Sequence, residues 1–127
     1  MKIENIKFKA IRLDNGKWAC GYYYEDNGNT YIIENRSKDS VLNRNEAVLI
    51  DPSTVCQSTG LKDCEGKEVW EGDIVDVRGV KAEVIWNQEA LAFMVLYEYE
   101  TEPITYLAFI NRHSNMLVLH SKFDKEK

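Results

Sequence analysis

Glycines at positions 60, 66 and 72 divide the stretch TGLKDCEGKEVWEGDIVDV, residues 59 to 77, into short pieces. Asp63 and Gly66 bracket a tight reversal, because an aspartate accepts hydrogen bonds from its own turn and a glycine reaches positive φ at no steric cost. Gly72-Asp73 marks a second break before IVDV, and Arg78-Gly79 a third before KAEVIW. Short segments separated by so many reversals predict an antiparallel sheet, curled into a small barrel or stacked as a sandwich. Strand parity in DIVDV sets Ile74 and Asp76 on one side and Asp73, Val75 and Val77 on the other. A bulge near Gly72-Asp73 reconciles that pattern with one wet face.

The rest of the chain reads the same way. IKFKAIRL alternates Ile6, Phe8, Ala10 and Leu13 with Lys7, Lys9 and Arg12, a half-buried strand in period two. Asn15-Gly16 then turns it into KWACGYYYE, and Asn27-Gly28 turns that strand into TYIIE, giving two N-terminal hairpins. Residues 35 to 47, NRSKDSVLNRNEA, are polar and aperiodic and predict an exposed loop with at most one helical turn. AFMVLYEYE, ITYLAFI and MLVLHSKF supply further strands, with Glu98, Glu100 and Glu102 making one acidic face. The expected organisation is an N-terminal β-hairpin region over residues 1–50 and an SH3-like barrel over 51–127, or one continuous domain.

Composition narrows the function. Three Trp, seven Tyr and four Phe in 127 residues are too many for a disordered chain. Apolar runs such as Leu91 to Leu96 are far shorter than a membrane-spanning helix, and MKIENIKFKA has no signal-peptide core, so a cytosolic protein is expected. The net charge of −5, with no dense Lys/Arg patch, argues against a general nucleic-acid binder. A local basic surface at Lys7, Lys9 and Arg12 stays open. Cys20, Cys56 and Cys64 form no CxxC pair, and His113 and His120 lie far along the chain, so neither a zinc site nor any other cofactor is expected. Cys20, inside WACGYYY, reads as a buried small residue.

Two constellations invite chemistry. Asp63, Glu65, Glu68, Glu71, Asp73 and Asp76 could form an acid/base pair, as in a small hydrolase, but local spacing brings no two of them together. Gly60, Asp63, Gly66, Gly72 and Asp73 read as turn residues, with Asp73 satisfying backbone N–H groups at a strand entrance. The glycines match neither phosphate-cradling pattern. The second constellation is Trp18, Tyr22, Tyr23 and Tyr24. Consecutive tyrosines on a strand point to opposite faces, so at least one is exposed or at an interface, which suits a protein partner and, with more basic charge, a nucleic acid.

The order TVCQSTGLKD, residues 54 to 63, then GKEVWEGDIV, residues 66 to 75, after IKFKA near the N-terminus, resembles the YopX family of phage and prophage proteins. The resemblance implies a β-barrel fold, a phage origin and a bacterial host cytoplasm, and it carries no catalytic residues. Cys56 stands where the family commonly has glycine, Ser58 where it has an aromatic residue, and VLHSKFDKEK replaces a Gly-Asn-containing ending. The expected function is a noncatalytic accessory protein that binds a protein or associates with itself as a homo-oligomer. A nucleic-acid-associated regulator and a carboxylate-based hydrolase are the alternatives.

Overall fold

The computed structural model describes residues 6–34, 46–103, 105–113 and 115–124. Among them the chain forms strands β1 (Phe8–Ile11), β2 (Trp18–Asp26), β3 (Asn29–Glu34), β4 (Glu46–Leu49), β5 (Cys56–Lys62), β6 (Glu68–Trp70), β7 (Asp73–Val77), β8 (Val80–Asn87), β9 (Ala92–Tyr97), β10 (Thr105–Tyr106) and β11 (Met116–Ser121), with one α-helix, α1 (Leu107–His113), and a 3-10 turn at Pro52–Thr54. The protein is mainly β and antiparallel. It divides into two compact units, Met1–Gln57 and Ser58–Lys127, and the chain passes from one to the other inside β5. The loop expected over 35 to 47 falls outside the described residues up to position 45, and β4 begins at Glu46.

In the first unit β1 to β4 form an antiparallel meander, and the opening residues of β5 pair with β1. Asn27 and Gly28 both have positive φ, 51° and 80°, the two-residue turn whose twist matches the strands it joins. The turn between β1 and β2 rests on Gly16, at φ 71°, and on the Asn15 side chain, which accepts from the Lys17 N–H at 2.9 Å. Ala10, Ala19, Ile32, Val48 and Ile50 make the core, with Phe8 and Val55 packed against it. Thr54 is buried too: its hydroxyl accepts from the Ile11 N–H at 2.9 Å and donates to the Asp51 carbonyl at 2.7 Å.

In the second unit the β5–β6 hairpin accompanies a five-stranded sheet of order β10-β9-β8-β7-β11. Arg78 and Gly79, at φ 53° and 86°, join β7 to β8 by the same kind of turn. The expected closed barrel does not form: the edge strands β10 and β11 are not paired with each other. The chain between them is spent on α1, and of ITYLAFI, read as one strand, only Thr105–Tyr106 form β10 while the residues from Leu107 onward turn into the helix. Leu107 and Ile110, one helical turn apart, are buried, whereas Phe109 between them is exposed. They join Val69, Val75, Val77, Ala82, Val84, Val95, Met116 and Val118 in one core.

Two smaller expectations are also corrected. YEYETE does not extend β9 as an acidic strand face, since the chain turns at Glu98 and Tyr99, and the Tyr97 and Tyr99 rings stack with centroids 5.4 Å apart. β7 keeps an unbroken register with β8 from Ile74 to Val77. The irregularities lie in β11, between Val118 and His120, and between Ser58 and Lys62 in β5.

Candidate interaction surface

The register of the first unit builds an apolar outer face. Tyr22 lies opposite Ile33 and Tyr24 opposite Tyr31, while across β3 and β4 Ile33 lies opposite Ala47 and Tyr31 opposite Leu49. Residues directly opposite one another share a face, so Tyr22, Tyr24, Tyr31, Ile33 and Leu49 stand together. The adjacent pair Ile32 and Val48 points the other way and is 0% and 5% exposed, whereas Tyr22, Tyr24 and Leu49 keep 44%, 47% and 40%. The Tyr24 and Tyr31 rings lie 6.1 Å apart. Large apolar groups lie side by side there and face water.

Tyr23 takes the opposite face, where its ring sits 5.8 Å from that of Phe8. Its hydroxyl donates to Glu25 at 3.0 Å, and that bond raises its pKa. Trp18, opposite Ile11, is half-buried under the Lys9 ammonium, 4.4 Å from a ring centroid, a cation–π contact. Arg12 is engaged by a two-pronged pair with Asp14, at 3.0 and 2.8 Å. The Arg12 guanidinium holds the Asp14 carboxyl below its usual pKa. Of the basic trio, Arg12 therefore points its charge at a carboxylate of its own chain.

Gly21 was not among the sequence candidates, yet it decides how β2 meets β3. A Cβ there would lie 2.0 Å from the Ile33 carbonyl oxygen and 2.8 Å from its carbon, both backbone atoms. A glycine interrupting a strand pattern signals such a close backbone approach, and that signal is present in WACGYYYE.

The expected turn residues all lie in or beside the second unit's turns and irregularities. Asp63 is 7% exposed, and its carboxylate gathers three backbone N–H groups: Glu65 at 2.9 Å and Lys67 at 2.8 Å on Oδ1, and Val118 at 3.0 Å on Oδ2. Burial by itself raises the Asp63 pKa, but these three donors and the Lys67 charge outweigh it and hold the carboxyl below 3.8. Gly66 closes the same turn at φ 84°. Asp73 is buried beside Val75 and Val77, and its Oδ2 accepts from the Trp70 N–H at 2.8 Å. Gly60, at φ 77°, sits inside β5 at its irregularity, and not at a reversal.

Ser58 is buried and ties β5 to β6 by donating to Glu68 at 3.0 Å. Gly72 is buried at φ 85°, with its N–H donated to Val84 at 2.7 Å and its carbonyl accepting from Lys122 at 2.9 Å. Gly72→Ala is expected to cost about 1 kcal/mol or more through left-handed strain, read as a lower urea midpoint at unchanged slope.

The carboxylates that looked like a constellation are thus separated by use. Asp63 and Asp73 bind backbone, Glu68 binds Ser58, and Asp76 accepts from the Gly79 N–H at 2.9 Å. Among the described residues no three His, Cys, Asp or Glu side chains gather to hold a metal ion. Cys56 is buried and Cys64 exposed. Cys20 is also exposed, against expectation, because Ala19 takes the core position and strand alternation turns its neighbour outward. His120 is exposed, with Nδ1 3.0 Å from the Ser121 carbonyl. No described helix is long and apolar enough to cross a membrane.

No curated protein matches the chain. The sequence model of a family described as YopX protein matches residues 5–117, a span that takes in both units, from β1 to the start of β11. The turns of the central segment and the hairpins that precede it all lie within that span, and on this ground the chain belongs to the YopX family.

Proposed function

We propose that the chain is a noncatalytic accessory protein of a phage or prophage, acting in the cytoplasm of the bacterial host. It binds a protein, another chain or a second copy of itself, through the face of Tyr22, Tyr24, Tyr31, Ile33 and Leu49. The observation that carries this reading is the exposure of the two tyrosines and Leu49 side by side on a sheet whose other face is its core. Tyrosine anchors protein interfaces because a large ring is immobilised at little entropic cost and keeps a polar tip at the rim. The use of Asp63 and Asp73 to hold backbone N–H groups supports the noncatalytic part of the reading.

The test is a tagged pull-down from phage-carrying cells, with and without nuclease, on the parent and on Tyr22→Ser/Tyr24→Ser. Both side chains are exposed, so the double variant is expected to keep the parental urea midpoint and to lose retained protein by about tenfold or more. Equal retention by the double variant removes this face from consideration. Retention that vanishes with nuclease supports a nucleic-acid partner instead, and Lys7, Lys9 and Arg12 become the residues to map.

A further inference from the structure

The second unit holds an open cavity of about 300 Å³ where the turn after β5 meets the end of α1 and the start of β11. Its walls are cross-tied by the backbone. The Asn111 side-chain amide donates to the Lys62 carbonyl, the Cys64 N–H donates to the Met116 carbonyl at 3.0 Å, and the Val118 N–H donates to Asp63. A concavity fixed in this way keeps its shape without a ligand, as small-molecule sites do.

The side chains that line it are mostly donors. Lys62 and Arg112 bring two positive charges to the rim of a chain whose net charge is −5, and among the described residues neither forms an ion pair. Asn115 adds an amide. Asp63 is the one carboxylate in the wall, and both its oxygens are already occupied by backbone N–H groups, which spread its charge. Two cationic residues and an amide in the lining of a small polar cavity match an oxyanion, for which guanidinium and ammonium donors supply charge-assisted hydrogen bonds. We infer that this cavity binds a small oxyanion, a phosphate or a carboxylate, between Lys62 and Arg112. The cavity shares no residue with the tyrosine face.

The experiment is a titration of ¹⁵N-labelled protein with inorganic phosphate, and separately with citrate, at constant ionic strength maintained by chloride. Saturable shifts centred on the Cys64, Asn111 and Met116 amides are expected. Arg112→Gln and Lys62→Gln are each expected to weaken binding by about tenfold, as loss of one charge-assisted donor implies, while Lys81→Gln on β8 leaves it unchanged. Tighter phosphate binding assigns the site to phosphorylated ligands, and tighter citrate binding to carboxylates. Shifts that do not saturate, that spread over the lysines generally, or that persist unchanged in Arg112→Gln overturn the inference. Both variants alter exposed side chains, and a preserved amide spectrum establishes that they fold.

Discussion

Asp63→Ala is expected to destabilise the protein by about 3 kcal/mol or more, because it strands three backbone N–H groups that have no other described acceptor. Water can reach the Glu65 and Lys67 donors in their part-buried turn. The Val118 donor is buried, and its loss of a charged acceptor dominates the cost. The consequence reaches far in sequence, since this one bond joins the β5–β6 turn to β11 across 55 positions. Asp63→Asn keeps the shape but offers only one acceptor oxygen, so its urea midpoint should fall between those of the parent and the alanine variant.

The same carboxylate gives a pH signature. Its folded pKa lies below 3.8, so its contribution is fully present above that value and is lost as pH falls below 3.8 through the folded value. The parent should therefore lose stability below about pH 3.8 more steeply than Asp63→Asn, in which the group does not titrate. Parallel acid profiles for the two proteins would show that Asp63 is not held as its carboxylate by these bonds.

Gly21→Ala is expected to cost about 2 kcal/mol or more, because the new methyl group meets backbone that cannot rotate away. To fit it, β2 and β3 must separate at Ile33, next to the row that carries Tyr22. Gly28→Ala is the control: at φ 80° it is strained, but nothing lies within 4 Å of its Cβ, so it should cost about 1 kcal/mol. A Gly21→Ala midpoint no lower than that of Gly28→Ala would place the close approach elsewhere. Faster amide exchange at Tyr22 and Ile33 in the Gly21 variant is the accompanying local readout.

Local chemistry decided much of this fold before any tertiary contact. Asn27-Gly28 and Arg78-Gly79 set their hairpins because both residues of each turn take positive φ, and the parity of DIVDV placed Asp73 with Val75 and Val77. Gly66 and Asp63 marked their reversal because turn residues act on their own neighbours. The helix at Leu107–His113 was illegible for the opposite reason. LAFINRH is too short for its three-residue spacing to outweigh the apolar run before it, and only burial of Leu107 and Ile110 in the core selects helix over strand. The open sheet is illegible with it, since the residues that form α1 are those that would have extended an edge strand.

The candidate surface divides along the same line. Sequence alone determined that Tyr22, Tyr23 and Tyr24 alternate between faces, because side chains in a strand have a period of two. It also determined the two-residue turn that pairs Tyr24 with Tyr31. Only the tertiary structure decided that Leu49 joins Tyr22 and Tyr24 in facing water, that Lys9 covers Trp18, that Ala19 rather than Cys20 enters the core, and that Asp63 reaches Val118. Each of these depends on which strands lie side by side, and pairing between distant segments is set by the burial of the whole core, which no local run of residues contains.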